Sequence, residues 1–333
     1  MITASKEGRR SSATRAAARH CGAAVLAGAF VCGLPHIVFS QTCKPRHSLP
    51  TIVLKDMGAC NFDPQSLSFA GDATEQALCL MRGMDASRNL GPPLTALPDA
   101  LANRVGRATS LPTREILSTF LSRQDLEGDF AAYLWQPVSH ADDNDPDAPQ
   151  ARYFVIHDTS GPNYHHHDFP EDVDSTAHLN DLKNYFCGDG WGKAHVVVNR
   201  AGDMVLDHDF SVPWRETKFE RAINFAGALK GLFLHVELVQ PRRTAAGHSW
   251  RNDGQTPTPA FTTAQYDRLA LLYAIASVRA GRWLIPAFHA AIDAHIRNGH
   301  DDPLHFDVDS FANSLELLME KLQGTQEVQA AHQ

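Results

Sequence analysis

The amino-acid sequence predicts an α/β fold, with a mixed central β-sheet flanked by helices and an N-terminal extension before it. Three observations carry this expectation. Apolar runs of strand character, Tyr153 to His157 and Leu232 to Leu238, alternate with capped helical segments. A linker rich in Asp and Pro, Asp142 to Pro149, separates this pattern from a first region of different texture. No internal repeat or long low-complexity tract interrupts the order.

The chain has 333 residues, 43% hydrophobic and 20% charged, which is globular rather than disordered composition. Residues 1–40 read as a secretory signal. Lys6, Arg9, Arg10, Arg15 and Arg19 precede an uncharged apolar run from Ala23 to Leu34, which is short for a bilayer span. Small residues near Val38 and Ser40 place the mature start near Gln41, with a retained membrane anchor as the alternative. The expected compartment is periplasmic or secreted, with no stable membrane insertion after cleavage. Removing this segment, with its five basic residues and one acid, takes the net charge from −8 to −12. Nucleic-acid binding relies on clustered Lys and Arg, so no nucleic-acid partner is expected. Four cysteines then remain, Cys43, Cys60, Cys79 and Cys187, none in a C-x-x-C pair. In an oxidising compartment Cys60 and Cys79, close together in the first region, are expected to pair.

Residues 41–141 form the N-terminal extension or an accessory lobe. Asp72 and Glu75 make a capping box for a helix through Leu78, Leu80 and Met81, stopped by Gly83. A second helix is expected from about Arg114 to Ser122. Beyond the linker, Tyr153 to His157 is a buried strand. Ser175 can cap a helix carrying Leu179, Leu182 and Phe186, with Gly188 as its stop. His195 to Asn199 and Met204 to Leu206 flank a turn at Arg200 to Asp203 and read as a hairpin. Leu232 to Leu238 is a second buried strand. Thr262 or Thr263 caps a long helix that ends at Gly281, and Trp283 to Ile285 is a short strand. The last helix uses Phe311, Leu315, Leu318, Met319 and Leu322, so the second domain is bounded at 150–323 with a tail from 324.

Eighteen histidines are many for this length, and position selects among them. A sheet delivers side chains to a site at its strand ends, which singles out His157, Glu237 and the segment after Ile285. The loop Gly299 to Asp307 adds His300 and Asp302. These are imidazole and carboxylate ligands of the kind zinc takes, with a spare acid for proton transfer. The run His165 to His167 reads as a solvated loop. His195 opens a strand, where it either lines a groove or makes a structural hydrogen bond.

Four segments in order, Val155 to Thr159, Ala194 to Gly202, Leu234 to Leu238 and His300 to Asp307, carry a family resemblance. The chain resembles the type 2 N-acetylmuramoyl-L-alanine amidases, zinc enzymes related in fold to peptidoglycan recognition proteins. The resemblance covers about half the chain. It implies Zn2+ held by His157, His289 and Asp302, with Glu237 as general base. It also implies that His300 steadies the developing oxyanion and that the substrate is peptidoglycan or a muropeptide. His195 is assigned to substrate binding.

His295 competes with His289 for the metal. His289 lies thirteen residues before Asp302 and His295 only seven, but His289 follows the predicted strand almost at once. Were 288–296 helical, the two rings would sit about 240° apart around the axis, so only one could face the metal. His289 is the expected ligand.

Other hydrolytic and phosphate-binding signatures are missing. His235-Val-Glu237 matches the H-x-E of nucleobase deaminases, but no Pro-Cys-x-x-Cys follows. H-E-x-x-H and G-x-S-x-G are absent. Two other function classes stay open: a non-catalytic peptidoglycan-binding module and a zinc hydrolase of another amide.

Overall fold

The computed structural model describes residues 60–84, 89–124, 126, 130, 133–185, 194–248, 253–296 and 298–330. The expected signal segment, Cys43, Cys187, Phe186 and Gly188 lie outside them.

Five strands form the central sheet: β3 (Tyr153–Asp158), β4 (Val196–Val198), β5 (Met204–Leu206), β6 (Phe233–Leu238) and β7 (Ile285–Phe288). Their spatial order is β5-β4-β6-β3-β7, with β4, β6, β3 and β7 parallel and β5 antiparallel at one edge. Strands β3 and β6 are buried throughout, which explains their continuous apolar runs. The β4–β5 hairpin forms where expected. At its turn Gly202 adopts φ +84°, and a Cβ there would stand 2.8 Å from the Ala264 carbonyl oxygen.

Alternation along the strands gives the two faces different chemistry. One face presents Phe154, Ile156, Leu234 and Val236. It packs on α5 (Thr263–Ala280), where the Tyr273 ring lies 5.3 Å from Phe154, and α7 (Val308–Ala330) lies behind through Phe311. The Thr262–Gln265 capping box opens α5, and Gly281 ends it in the left-handed conformation. The last helix runs on to Ala330, so residues 324–330 continue it and do not form a separate tail.

The opposite face is aromatic at the start of the strands and polar at their ends. Tyr153 stacks on Phe233, and both meet a cluster with Phe69 and Phe219. Two residues further along lie Val155 and His235, and two beyond these His157 and Glu237. The first region covers the aromatic end. A two-stranded hairpin, β1 (Phe62–Asp63) with β2 (Ser68–Phe69), and α1 (Ala73–Leu80) sit there. The Tyr153 hydroxyl donates to Gln76 Oε1 at 2.8 Å and accepts from the Phe69 N–H. Helices α2 (Asp99–Ala102) and α3 (Arg114–Arg123) pack against α7, so the described part of this region shares the core of the sheet. Cys60 and Cys79 lie at disulfide distance, with Cα atoms 5.9 Å apart, as their spacing predicts.

Two elements differ from the sequence expectation. The helix expected from Ser175 is only a short α4 (Ala177–Asn180) followed by a 3-10 turn at Leu182–Asn184. Asp181 breaks it: the backbone is extended there, and the side chain accepts the Lys183 N–H in a local turn. The strand expected at Trp283 to Ile285 begins only at Ile285. The backbone of Trp283 is bonded to Gly106 and Arg107, and that of Leu284 to the Ser277 and Tyr273 side chains. Pro286 fits because β7 is an edge strand.

Arg279 locks the end of α5 to the loops beneath the sheet. It pairs with both Asp209 oxygens at 2.7 and 2.8 Å and donates to the carbonyls of Gln136 and Pro137. Burial raises the Asp209 pKa, but hydrogen bonds from Arg279 and Ser211 outweigh it and hold the group below its ordinary value. The stabilisation is therefore present above the unfolded pKa of about 4 and is lost as pH falls through the lower folded value. Arg279→Met should cost about 3–5 kcal/mol at neutral pH and flatten acid destabilisation below about pH 4. Urea melts across that range check this; an unchanged acid slope contradicts it.

Candidate metal centre

Three side chains from separate parts of the chain converge at the polar end of the sheet. His157 is on β3, His289 opens the short helix α6 (His289–Ile292) directly after β7, and Asp302 lies in the loop before α7. All three are buried. His157 Nδ1 is 2.9 Å from His289 Nδ1, His289 Nδ1 is 3.1 Å from an Asp302 oxygen, and His157 Nδ1 is 3.5 Å from Asp302 Oδ2. A tetrahedral ion with ligands at 2.0–2.1 Å needs donor atoms about 3.3 Å apart, so this triangle fits one. Among the described residues it is the one group of three or more such side chains able to hold a metal ion.

Each ligand is held from behind. Asp293, four residues beyond His289, accepts from its Nε2 at 3.2 Å and also accepts the Phe219 N–H. His157 Nε2 meets His235 Nδ1 at 3.0 Å, and His235 Nε2 lies 3.3 Å from Glu220. Asp302 receives the Asp158 N–H, while the Asp158 carboxylate takes the Leu304 N–H and both contacts from the buried Arg242. Metal-binding histidines characteristically have their second ring nitrogen engaged in this manner.

Burial and mutual proximity shift the titration of all three groups. Burial, then the proximity of His289, push His157 down to about 4. Burial lowers His289 too, but Asp302 and Asp293 outweigh it and hold the ring well above its usual value. Burial raises Asp302, yet His289 and His157 draw it well below the carboxylate range. A divalent cation between the three would compete with protons for these ring nitrogens and for Asp302.

The other expected site residues lie in different settings. Glu237, 7% exposed, sits on β6 directly across from His157 and on the same face. Adjacent strands are about 4.8 Å apart, so it borders the centre. Glu237 also helps to raise the pKa of Tyr185, after burial. The side chain of His300 is half exposed at the mouth of the site, its Nδ1 3.4 Å from Asp302 and its ring 4.3 Å from that of His289. His195 does not reach a groove. It is fully buried, its Nδ1 accepts the His235 N–H and its Nε2 faces the Val212 carbonyl at 3.1 Å, which is the structural hydrogen bonding that the sequence left as one of two readings. The run His165 to His167 is exposed.

Of the two candidate histidines, His289 is the one that the described residues place in the group. The segment is not one helix: α6 passes into a 3-10 turn at Asp293–His295 and leaves it extended at Ile296. The side chain of His295 lies outside the described residues.

Glu220, Asp293 and His235 were not anticipated as parts of the site. Asp293 follows His289 at helical spacing, a pattern that could have found it. Glu220 closes a Thr217-Lys-Phe-Glu220 capping box, a signal that speaks only of local structure.

Comparisons with models of known protein families, with curated proteins and with solved structures give no match.

Metal content of folded variants tests the assignment. His157→Ala and His289→Ala should lose the bound ion, His295→Ala should keep it, and Asp293→Asn should weaken affinity about 10–100-fold. A metal-free His295→Ala beside a replete His289→Ala reverses the ligand assignment.

Proposed function

We propose that the chain is a secreted zinc amidase that hydrolyses the amide between N-acetylmuramic acid and L-alanine in peptidoglycan. The observation that carries the reading is the meeting of His157, His289 and Asp302 at one point, with Glu237 in register beside His157. The resemblance to the type 2 amidases assigns these four residues to those roles. A five-stranded mixed sheet backed by a long helix agrees with the peptidoglycan recognition protein-like fold expected for it. The paired Cys60 and Cys79 agree with an oxidising compartment. Among the described residues no helix is long and apolar enough to cross a membrane.

Zinc, when bound, supplies Lewis acidity and lowers the pKa of water to about 7. The protein does the rest. Glu237, a carboxylate on the buried strand β6, takes the proton of the attacking water and delivers it to the departing amine nitrogen. His300, at the mouth, donates a hydrogen bond to the amide oxygen as that atom gains charge. His305, three residues beyond Asp302, lines an open cleft of about 750 Å³ with Phe169, Arg243 and Thr256, where an extended substrate has room.

Incubation with purified peptidoglycan should release free stem peptide, visible by mass spectrometry. Chelation should abolish the release and zinc restore it. Glu237→Gln should retain the metal and lower turnover about 100-fold or more. Binding to the wall without release of peptide would make the protein a recognition module instead.

A further inference from the structure

Behind His157 runs a chain of buried polar groups that the amidase reading leaves unused. His157 Nε2, His235 Nδ1, His235 Nε2 and Glu220 follow one another at 3.0 and 3.3 Å, and all three residues are sealed from solvent. The direction of the protons along this chain follows from its far end.

Glu220 Oε2 already accepts three donors: the Glu216 N–H at 3.1 Å, the Thr217 N–H at 2.9 Å and the Thr217 hydroxyl at 2.8 Å. His235 Nε2 is 3.3 Å from both oxygens, and Oε1 is the one left to receive it. Burial pushes the Glu220 acid up to about 7, so above that pH it is a carboxylate, which only accepts, and Nε2 of His235 bears the hydrogen. His235 is sealed from solvent between the rings of His157 and His195, where a charge is costly, so it holds one hydrogen and its Nδ1 is an acceptor. His157 Nε2 must then donate, and His157 Nδ1 is left bare, facing His289 and Asp302. His195 does not disturb the set. Its Nδ1 accepts the backbone N–H of His235, not a ring hydrogen, and its own hydrogen goes to Val212.

We infer that Glu220 is a positioning residue for the metal centre: acting through His235, it keeps the His157 hydrogen on Nε2 and so leaves Nδ1 free to bind an ion. This rests on the metal-holding role of His157 in the proposed function and is independent of which amide is cut. The capping box formed with Thr217 explains why Glu220 is anchored. It does not explain why the acid is turned toward a histidine in contact with a ligand.

Glu220→Gln separates the two roles. The amide oxygen of Gln must stay under the three donors, which puts its NH2 where Oε1 stood, aimed at His235 Nε2. The chain then reverses. His235 Nε2 accepts, its Nδ1 donates to His157 Nε2, and the His157 hydrogen moves to Nδ1, the atom that should bind the metal. Ring-nitrogen NMR of the metal-free protein should show His157 protonated at Nε2 in the wild type and at Nδ1 in E220Q. The zinc dissociation constant, measured by chelator competition, should rise about 10–100-fold, the usual effect of losing such a partner. Glu220→Asp, again an acceptor only, should restore the Nε2 form. An unchanged tautomer in folded E220Q overturns the inference even if affinity falls, because the loss would then be structural. A reversed tautomer with unchanged affinity overturns it too. Should E220Q not fold, His235→Leu removes the acceptor of the His157 hydrogen, and an unaltered tautomer and affinity there are equally contrary. Wild-type protein that binds no zinc would instead refute the metal centre itself.

Discussion

Two imidazole nitrogens, Nδ1 of His157 and Nδ1 of His289, face each other at 2.9 Å in a buried setting, and they cannot both carry a hydrogen. Much of the polar architecture follows from resolving this conflict. Burying one polar group without a partner costs a few kcal/mol, so each ring nitrogen at this end of the sheet needs a neighbour of opposite character. Asp293 and Asp302 flank His289, while His235 and then Glu220 stand behind His157. The resulting group of two imidazoles and one carboxylate could hold a metal ion.

The scaffold makes that arrangement rigid. Parallel strands β3 and β6 hold His157 and Glu237 in register, and the same alternation puts Tyr153 and Phe233 at the other end of that face. There the first region closes the core over the aromatic side chains. Asp293 joins two arms of the site, receiving the Phe219 N–H on one oxygen and His289 on the other. Gly299 is needed beside it, since a Cβ at that position would stand 2.5 Å from the Asp293 carbonyl oxygen. The buried Asp158–Arg242 pair fixes the loop that brings in Asp302. Breaking such a pair strands a buried charge, so the ligand loop is constrained from below as well.

The sheet and its long helix were legible because their signals are local: continuous apolar runs, the Thr262–Gln265 capping box and the terminal Gly281. His157 and Glu237 were legible for a related reason, as polar residues on buried strands are costly unless they have work to do. His289 and Asp302 came from the family resemblance, and the structure brings them together. Glu220 was hidden, because its spacing from Thr217 speaks only of a local cap, and it meets His235 of β6 only in the fold. His195 was left with two readings for the converse reason. Sequence placed it at a strand start, but only the packed structure shows both ring nitrogens already engaged. The missing helix after Ser175 and the shifted start of β7 have one cause, backbone and side-chain hydrogen bonds that compete with the regular element.

His157, His289 and Asp302, two imidazoles and one carboxylate, could hold one metal ion. X-ray absorption at the metal edge of the purified wild-type protein tests it most directly. The account predicts a zinc edge with two imidazole nitrogens and oxygen donors at about 2.0–2.2 Å, and no sulfur. A sulfur-containing shell, a shell without imidazole, or an edge from another metal would contradict it.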